Sequence, residues 1–151
     1  MLKYFSVLKI VVSFIIPYLI LYAIYIQLNG EVSPGGGFQA GVIFASGIIA
    51  FDLINGTKKT CEFFSQKALI ICGIFGVLIY ASTGLVSFLF DDNYLNFNSI
   101  AKIPWINNPA KIPWINNPLT GQHIGIFFIE IGVGLTVSSI MCLIYLILKE
   151  D

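Results

Sequence analysis

The chain has 151 residues, of which 57% are hydrophobic and only 11% are charged, and its mean hydropathy is +0.88. Soluble domains carry about 25% charged residues, so this composition excludes a soluble globular domain and indicates an integral membrane protein. The net charge is zero and the eight basic residues are scattered lysines, which argues against a nucleic-acid interface or a polybasic lipid-binding cluster.

Four charge-poor segments are close to the length of about 20 residues that a helix needs to cross the hydrocarbon core. Only helices or closed barrels satisfy every backbone group in lipid, and the alternation typical of barrel strands is absent. The sequence therefore predicts an all-α integral membrane protein that forms a single membrane domain. The predicted spans cover residues 10–28, 38–54, 68–90 and 124–148.

The lysines predict the orientation of these helices. With the N-terminus inside, six lysines lie on the inner side against two on the outer side, which favours both termini in the cytoplasm. The apolar run after Lys9 continues to Leu28 without a cleavage site, so it is predicted to remain as a membrane anchor. We expect a multi-pass protein of the plasma membrane.

A glycine-rich turn joins the first two spans. It reads Ser33-Pro34-Gly35-Gly36-Gly37, followed by Phe38 and Gln39. Proline fixes φ, and glycine admits backbone angles closed to other residues, so the chain can reverse tightly and expose its own amides and carbonyls. The turn is either a compact helix connection or a polar backbone surface that faces an ion or a partner.

The loop at 91–123 holds a perfect tandem duplication, in which the nine residues 101–109 recur as 110–118. Two prolines in each copy exclude a regular helix, and two short copies are too few for a solenoid. We interpret the duplication as an insertion tolerated in an outer loop, without a mechanistic role.

Glu130 lies inside the fourth span, where an ionised carboxylate costs a few kcal/mol. Helical spacing places Gly134 and Ser138 on the same face, with His123 two turns earlier, so this stripe is expected to face protein. Glu130 is either a proton or cation site or a hydrogen-bonded residue that holds helices together, and both interpretations stay open.

Two further carboxylates are candidates for an ion or proton path. Asp52 lies near the inner end of the second span, which favours a solvated boundary residue over a relay member. Glu31 precedes the glycine turn, and an ordinary loop carboxylate is favoured over an ion entrance. Small residues are expected to pack the helices closely, namely Gly41, Gly76, Gly84 and Gly134. The three cysteines and single histidine lack metal-ligand spacing, so no metal is expected.

Three stretches carry a resemblance to a known family: Tyr25 to Gly30, the turn from Ser33 to Gly41, and Ile129 to Val137 around Glu130. Together they resemble the B subunit of multisubunit Mrp/Mnh-type sodium/proton antiporters, over nearly the whole chain. Family members often carry a histidine beside the glycine that ends the first span, where this chain has Asn29 and Glu31.

The resemblance implies an accessory membrane subunit of a monovalent cation (Na⁺)/proton antiporter, and not an enzyme. Its partners would be the other membrane subunits and membrane lipids, with no cofactor beyond the transported Na⁺ and H⁺. In that assembly the glycine turn and Glu130 would help to build an ion path. The alternatives are a purely structural scaffold subunit, or a membrane subunit of an ion-translocating hydrogenase or dehydrogenase complex.

Overall fold

The computed structural model describes residues 2–30, 35–89, 95 and 118–150. This part of the chain is helical and contains no strand, and its elements are α1 (Leu2–Leu28), α2 (Gly37–Asn55), α3 (Thr57–Phe63), α4 (Gln66–Leu89) and α5 (Pro118–Glu150). Glu31, Ser33, Pro34 and residues 101–117 of the duplication lie outside the described residues.

Four of the helices are long and apolar enough to cross a membrane: Ser6–Leu28, Gly37–Asn55, Gln66–Val86 and Gln122–Lys149. The prediction of an all-α membrane protein with four transmembrane helices is confirmed. Successive spans alternate in direction, so α1 begins at the membrane face where α2 ends and α5 ends. We call this the N-terminal face and the opposite one the turn face. The assignment of the N-terminal face to the cytoplasm stays a prediction.

The helices form an open row and not a closed bundle. α4 packs on α5, α5 on α2, and α2 on α1, while α1 and α5 touch only slightly. Large apolar side chains of α1 and α4 are exposed along the outer sides of the row, as expected where lipid or other subunits surround the chain. The seam between α2 and α5 is central and carries the polar groups described below.

Glycines allow close approach at both seams of α5. A Cβ placed on Gly76 of α4 would lie 2.7 Å from the Gly132 carbonyl oxygen, and one on Gly41 of α2 would lie 2.7 Å from the Gly134 carbonyl oxygen. The backbones of α4 and α2 contact the backbone of α5 at these points, because small residues let membrane helices approach closely. Gly84 is buried in α4 as well.

The short helix α3 was not predicted. Its residues follow Gly56, which ends α2 with φ of 85° and donates its backbone N–H to the Asp52 carbonyl at 2.8 Å. α3 packs against α2 and buries Thr60. Next to it, at the N-terminal face, an apolar core joins α2, α4 and α5; it comprises Ala45, Ile48, Leu69, Cys142 and Leu146.

Candidate functional site

Glu130 of α5 lies directly against the glycine turn between α1 and α2. Its carboxylate fills the space over Gly30, at the end of α1, where an added Cβ would be 2.7 Å from the Glu130 Cδ. The same carboxylate lies over Gly36, whose Cβ would be 3.4 Å from Oε1. Glu130 and the glycine turn, which are far apart along the chain, therefore form one site.

The backbone of Glu130 also touches the turn. A Cβ on Gly37 would lie 2.8 Å from the Glu130 carbonyl carbon, closer than real Cβ atoms approach other atoms, and 3.0 Å from the Glu130 Cα. Gly35 has a φ of 156°, a conformation that other residues rarely adopt. Glycine is thus required here for contact with α5 as well as for the turn itself. We call Gly30, Gly35, Gly36, Gly37 and Glu130 the glycine cradle.

The glycine cradle lies at the first turn of α2. Gly36 is the N-cap of α2 and supplies no side-chain hydrogen bond. The first N–H groups of a helix lack internal partners and carry partial positive charge, so a nearby carboxylate is stabilised by about 0.3–1 kcal/mol. Glu130 is half-buried within a membrane-spanning helix, and its side chain lies at this first turn of α2.

A small cavity of about 180 Å³ lies beside the glycine cradle, between α1, α2 and α5. Gln27, Gly41, Gly134 and Ser138 are among its lining residues. The Gln27 Nε2 atom is buried and has no hydrogen-bond partner among the described residues. The stripe of Glu130, Gly134 and Ser138 thus faces α1 and α2, whereas its helical spacing predicted only that it faces protein.

His123 is the predicted candidate nearest to Glu130 along the chain. It is exposed on α5, seven residues before Glu130, which corresponds to about 10 Å along the helix axis. It therefore lies toward the turn face, outside the glycine cradle.

Asp52 belongs to a second polar group at the opposite end of the same seam. Its side chain is only 1% exposed, so the interpretation as a solvated boundary carboxylate is wrong. The Lys149 ammonium forms an ion pair with Asp52 Oδ2, and the Tyr145 hydroxyl donates to the same oxygen at 2.8 Å. We call Asp52, Tyr145 and Lys149 the carboxylate clasp, because together they hold the end of α5 against α2.

The surroundings of the clasp explain why Asp52 is buried. α3 places Thr60, itself 1% exposed, beside the carboxylate. The Lys149 ammonium lies 5.6 Å from the centre of the Tyr145 ring, and the Lys149 side chain is 37% exposed. Asp52 Oδ1 has no hydrogen-bond partner among the described residues.

Sequence reasoning missed Lys149 and Tyr145 as partners of Asp52, and it counted Lys149 only as an inner-side charge. One feature of the sequence pointed to this contact: Tyr145 and Lys149 are four residues apart and therefore lie on one face of α5. This spacing identifies Asp52 as the partner only when α2 and α5 are known to pack together.

An apolar stretch separates the glycine cradle from the carboxylate clasp. Gly37 and Asp52 are 15 residues apart on α2, which corresponds to about 22 Å. The side chains buried between them are mainly small or aliphatic, such as Ala45, Ile48 and Cys142. The fold and this site define a small multi-pass membrane protein whose described residues place a carboxylate toward each end of the α2–α5 seam.

Comparisons with known proteins give the family. The family model described as a domain related to the MnhB subunit of Na⁺/H⁺ antiporters matches residues 7–143. The B subunit of the Na⁺/H⁺ antiporter of Bacillus subtilis (strain 168) is 27% identical over 126 residues, which cover 83% of this chain and 82% of that protein. The putative antiporter subunit mnhB2 of Staphylococcus aureus (strain Newman) is 28% identical over 131 residues, which cover 87% of this chain and 89% of that protein.

The chain belongs to the MnhB-related family, and it is a multi-pass protein of the plasma membrane. The resemblance inferred from the glycine turn and the Glu130 region is confirmed.

Proposed function

We propose that this chain, an accessory subunit of a multisubunit Na⁺/H⁺ antiporter, contributes its glycine cradle to the ion path of that complex. Its family and the names of its relatives support the role of a transporter component, and not that of an enzyme. Other membrane subunits are its partners. No cofactor is needed beyond the transported Na⁺ and H⁺.

The contact between Glu130 and the glycine turn is the observation that carries the proposal. A half-buried carboxylate inside a membrane span marks an ion or proton pathway by default. Here it lies over the backbone of Gly30 and Gly36, and near a cavity lined by Gln27 and Ser138. Backbone carbonyls and a carboxylate are the ligands that hard cations such as Na⁺ prefer.

The path does not continue along this seam to the other membrane face. The seam below the glycine cradle is apolar, and the other carboxylate that the described residues place on it, Asp52, is held by Lys149. A proton or cation at Glu130 would therefore pass to or from a neighbouring subunit. The open row of helices leaves α1 and α4 available for such neighbours.

Replacing Glu130 with Gln tests this role, because glutamine keeps the size of the side chain and removes its ionisation. We expect sodium/proton exchange in membrane vesicles to be strongly reduced while the complex stays assembled on blue-native gels. Glu62→Gln is the matched control, since Glu62 is an exposed carboxylate of α3 at the opposite face. Unchanged exchange across the pH range would eliminate an ionisable role for Glu130.

A scaffold role is the second candidate function, and the same contact favours it. Glu130 fills the space over Gly30 and Gly36 and so fastens α5 to the turn. If Glu130→Gln disperses the complex on blue-native gels, the scaffold role gains support. Loss of exchange in an intact complex favours the ion path.

A further inference from the structure

A groove between α1 and α2 opens at the N-terminal face, away from both carboxylates. It has a volume of about 450 Å³, within the range of about 300–1,000 Å³ typical of small-ligand sites. It is lined by Leu8, Lys9, Val12, Ala50, Leu53 and Ile54. The surface is therefore apolar except for one ammonium group.

Lys9 has no counter-charge among the residues that the structure describes. It lies inside the candidate span Ser6–Leu28, about one helical turn from its beginning, and it is exposed. The nearby carboxylate of Asp52 is buried and paired with Lys149, so it is not available to Lys9. A lysine at this depth extends its ammonium toward the interface, where lipid phosphates lie.

The other basic side chains that the structure describes toward the N-terminal face lie on α3, α4 and α5 and do not line the groove. Lys58 and Lys59 of α3 and Lys67 of α4 are exposed there, together with the carboxylate of Glu62. The charge beside the groove is therefore that of Lys9, and an ammonium group beside an apolar groove between membrane helices is suited to an anionic head group. A partner helix in this groove would cover the Lys9 ammonium with apolar side chains, which is unfavourable unless it also brought a negative charge.

We propose that the α1–α2 groove binds an anionic phospholipid, with an acyl chain against Val12, Ala50 and Leu53 and the phosphate on Lys9. The sequence contains no polybasic cluster, so the site depends on one lysine combined with a shaped apolar surface. This site is independent of the glycine cradle and of the proposed ion path.

Native mass spectrometry of the purified, delipidated antiporter complex tests the proposal. The complex is titrated with phosphatidylglycerol and, separately, with phosphatidylcholine. We expect tighter binding of phosphatidylglycerol to the wild-type complex, and Lys9→Gln is expected to weaken that binding about fivefold, since one basic residue contributes modestly to anionic-lipid binding. Lys67→Gln is the matched control, because Lys67 is exposed on the same face but does not line the groove.

Ala50→Phe tests the acyl-chain part of the site separately, because it fills the groove and leaves Lys9 in place. We expect it to weaken phosphatidylglycerol binding as well, with the complex intact on blue-native gels. Equal binding by the wild-type, Lys9→Gln and Lys67→Gln complexes would overturn the proposal. Equal affinity for the two lipids, unchanged binding in Ala50→Phe, or displacement of the lipid by inorganic phosphate alone would do so too.

Discussion

The two ends of the α2–α5 seam hold a carboxylate in different ways. At the turn face, Glu130 lies against backbone, and glycines make the room for it. At the N-terminal face, Asp52 is held by the side chains of Lys149 and Tyr145 and is almost completely buried. The surroundings of the two carboxylates differ, because Asp52 is held by side chains whereas Glu130 lies against glycine backbone and near a cavity.

The largest effect on stability is expected from Lys149→Met. Removing one partner of a buried ion pair costs up to about 3–5 kcal/mol, because the remaining charge stays buried without compensation. The 37% exposure of the Lys149 side chain reduces this cost. Thermal unfolding of the detergent-solubilised complex measures the loss of stability in Lys149→Met. The double variant Asp52→Asn with Lys149→Met is the control, and it should recover much of the lost stability. Equal losses of stability in the single and double variants would show that Asp52 and Lys149 are not coupled.

Gly37→Ala is expected to act next most strongly, at the other end of the seam. The added Cβ would lie 2.8 Å from the Glu130 carbonyl carbon, so α2 and α5 must separate. Such overpacking costs about 1–3 kcal/mol, which thermal unfolding should detect. Gly73→Ala in α4 is the matched control, since its nearest neighbouring atom would be at an ordinary 3.7 Å. Similar unfolding temperatures for the two variants would mean that the cradle is not tightly packed.

Tyr145→Phe is expected to have a smaller effect within the carboxylate clasp. The substitution removes the hydrogen bond of 2.8 Å to Asp52 Oδ2 but leaves the ion pair and the aromatic ring beside Lys149. A loss of about 0.5–1.5 kcal/mol is expected. A loss as large as that of Lys149→Met would indicate that the hydroxyl, and not the lysine, holds Asp52.

The smallest effect on stability is expected from Gln27→Leu beside the glycine cradle. The buried Gln27 Nε2 atom has no hydrogen-bond partner among the described residues, so an apolar side chain of similar size should leave the unfolding temperature unchanged or slightly raised. A clear loss of stability would show that the amide has a partner in the assembled complex, which would extend the polar site into the cavity.

Composition was sufficient to predict the membrane class, and the four charge-poor segments predicted the number of helical spans, because lipid leaves few alternatives for an apolar chain. The sequence also singled out Glu130 and the glycine turn, each from its own unusual chemistry. It did not reveal that they touch, since their contact depends on how α5 packs against α2. The predicted stripe from Glu130 to Ser138 indicated only that this face of α5 meets protein.

Asp52 shows where sequence reasoning failed. Its position near the end of a span suggested solvation, but its partner Lys149 is 97 residues away and lies on another helix. The short helix α3, which places Thr60 beside Asp52, was also missed, because seven mostly polar residues after a glycine carry little helical signal. A contact between residues so far apart along the chain can be predicted only when it is known which helices pack against each other.

A side-by-side transport assay tests most directly the claim that the two carboxylates have different roles. Sodium/proton exchange is measured in vesicles that contain equal amounts of the assembled complex, for Glu130→Gln and for the charge-neutral pair Asp52→Asn with Lys149→Met. We predict that Glu130→Gln loses most of the exchange activity, while the double variant retains it. Full exchange in Glu130→Gln, together with loss of exchange in the double variant, would contradict the account.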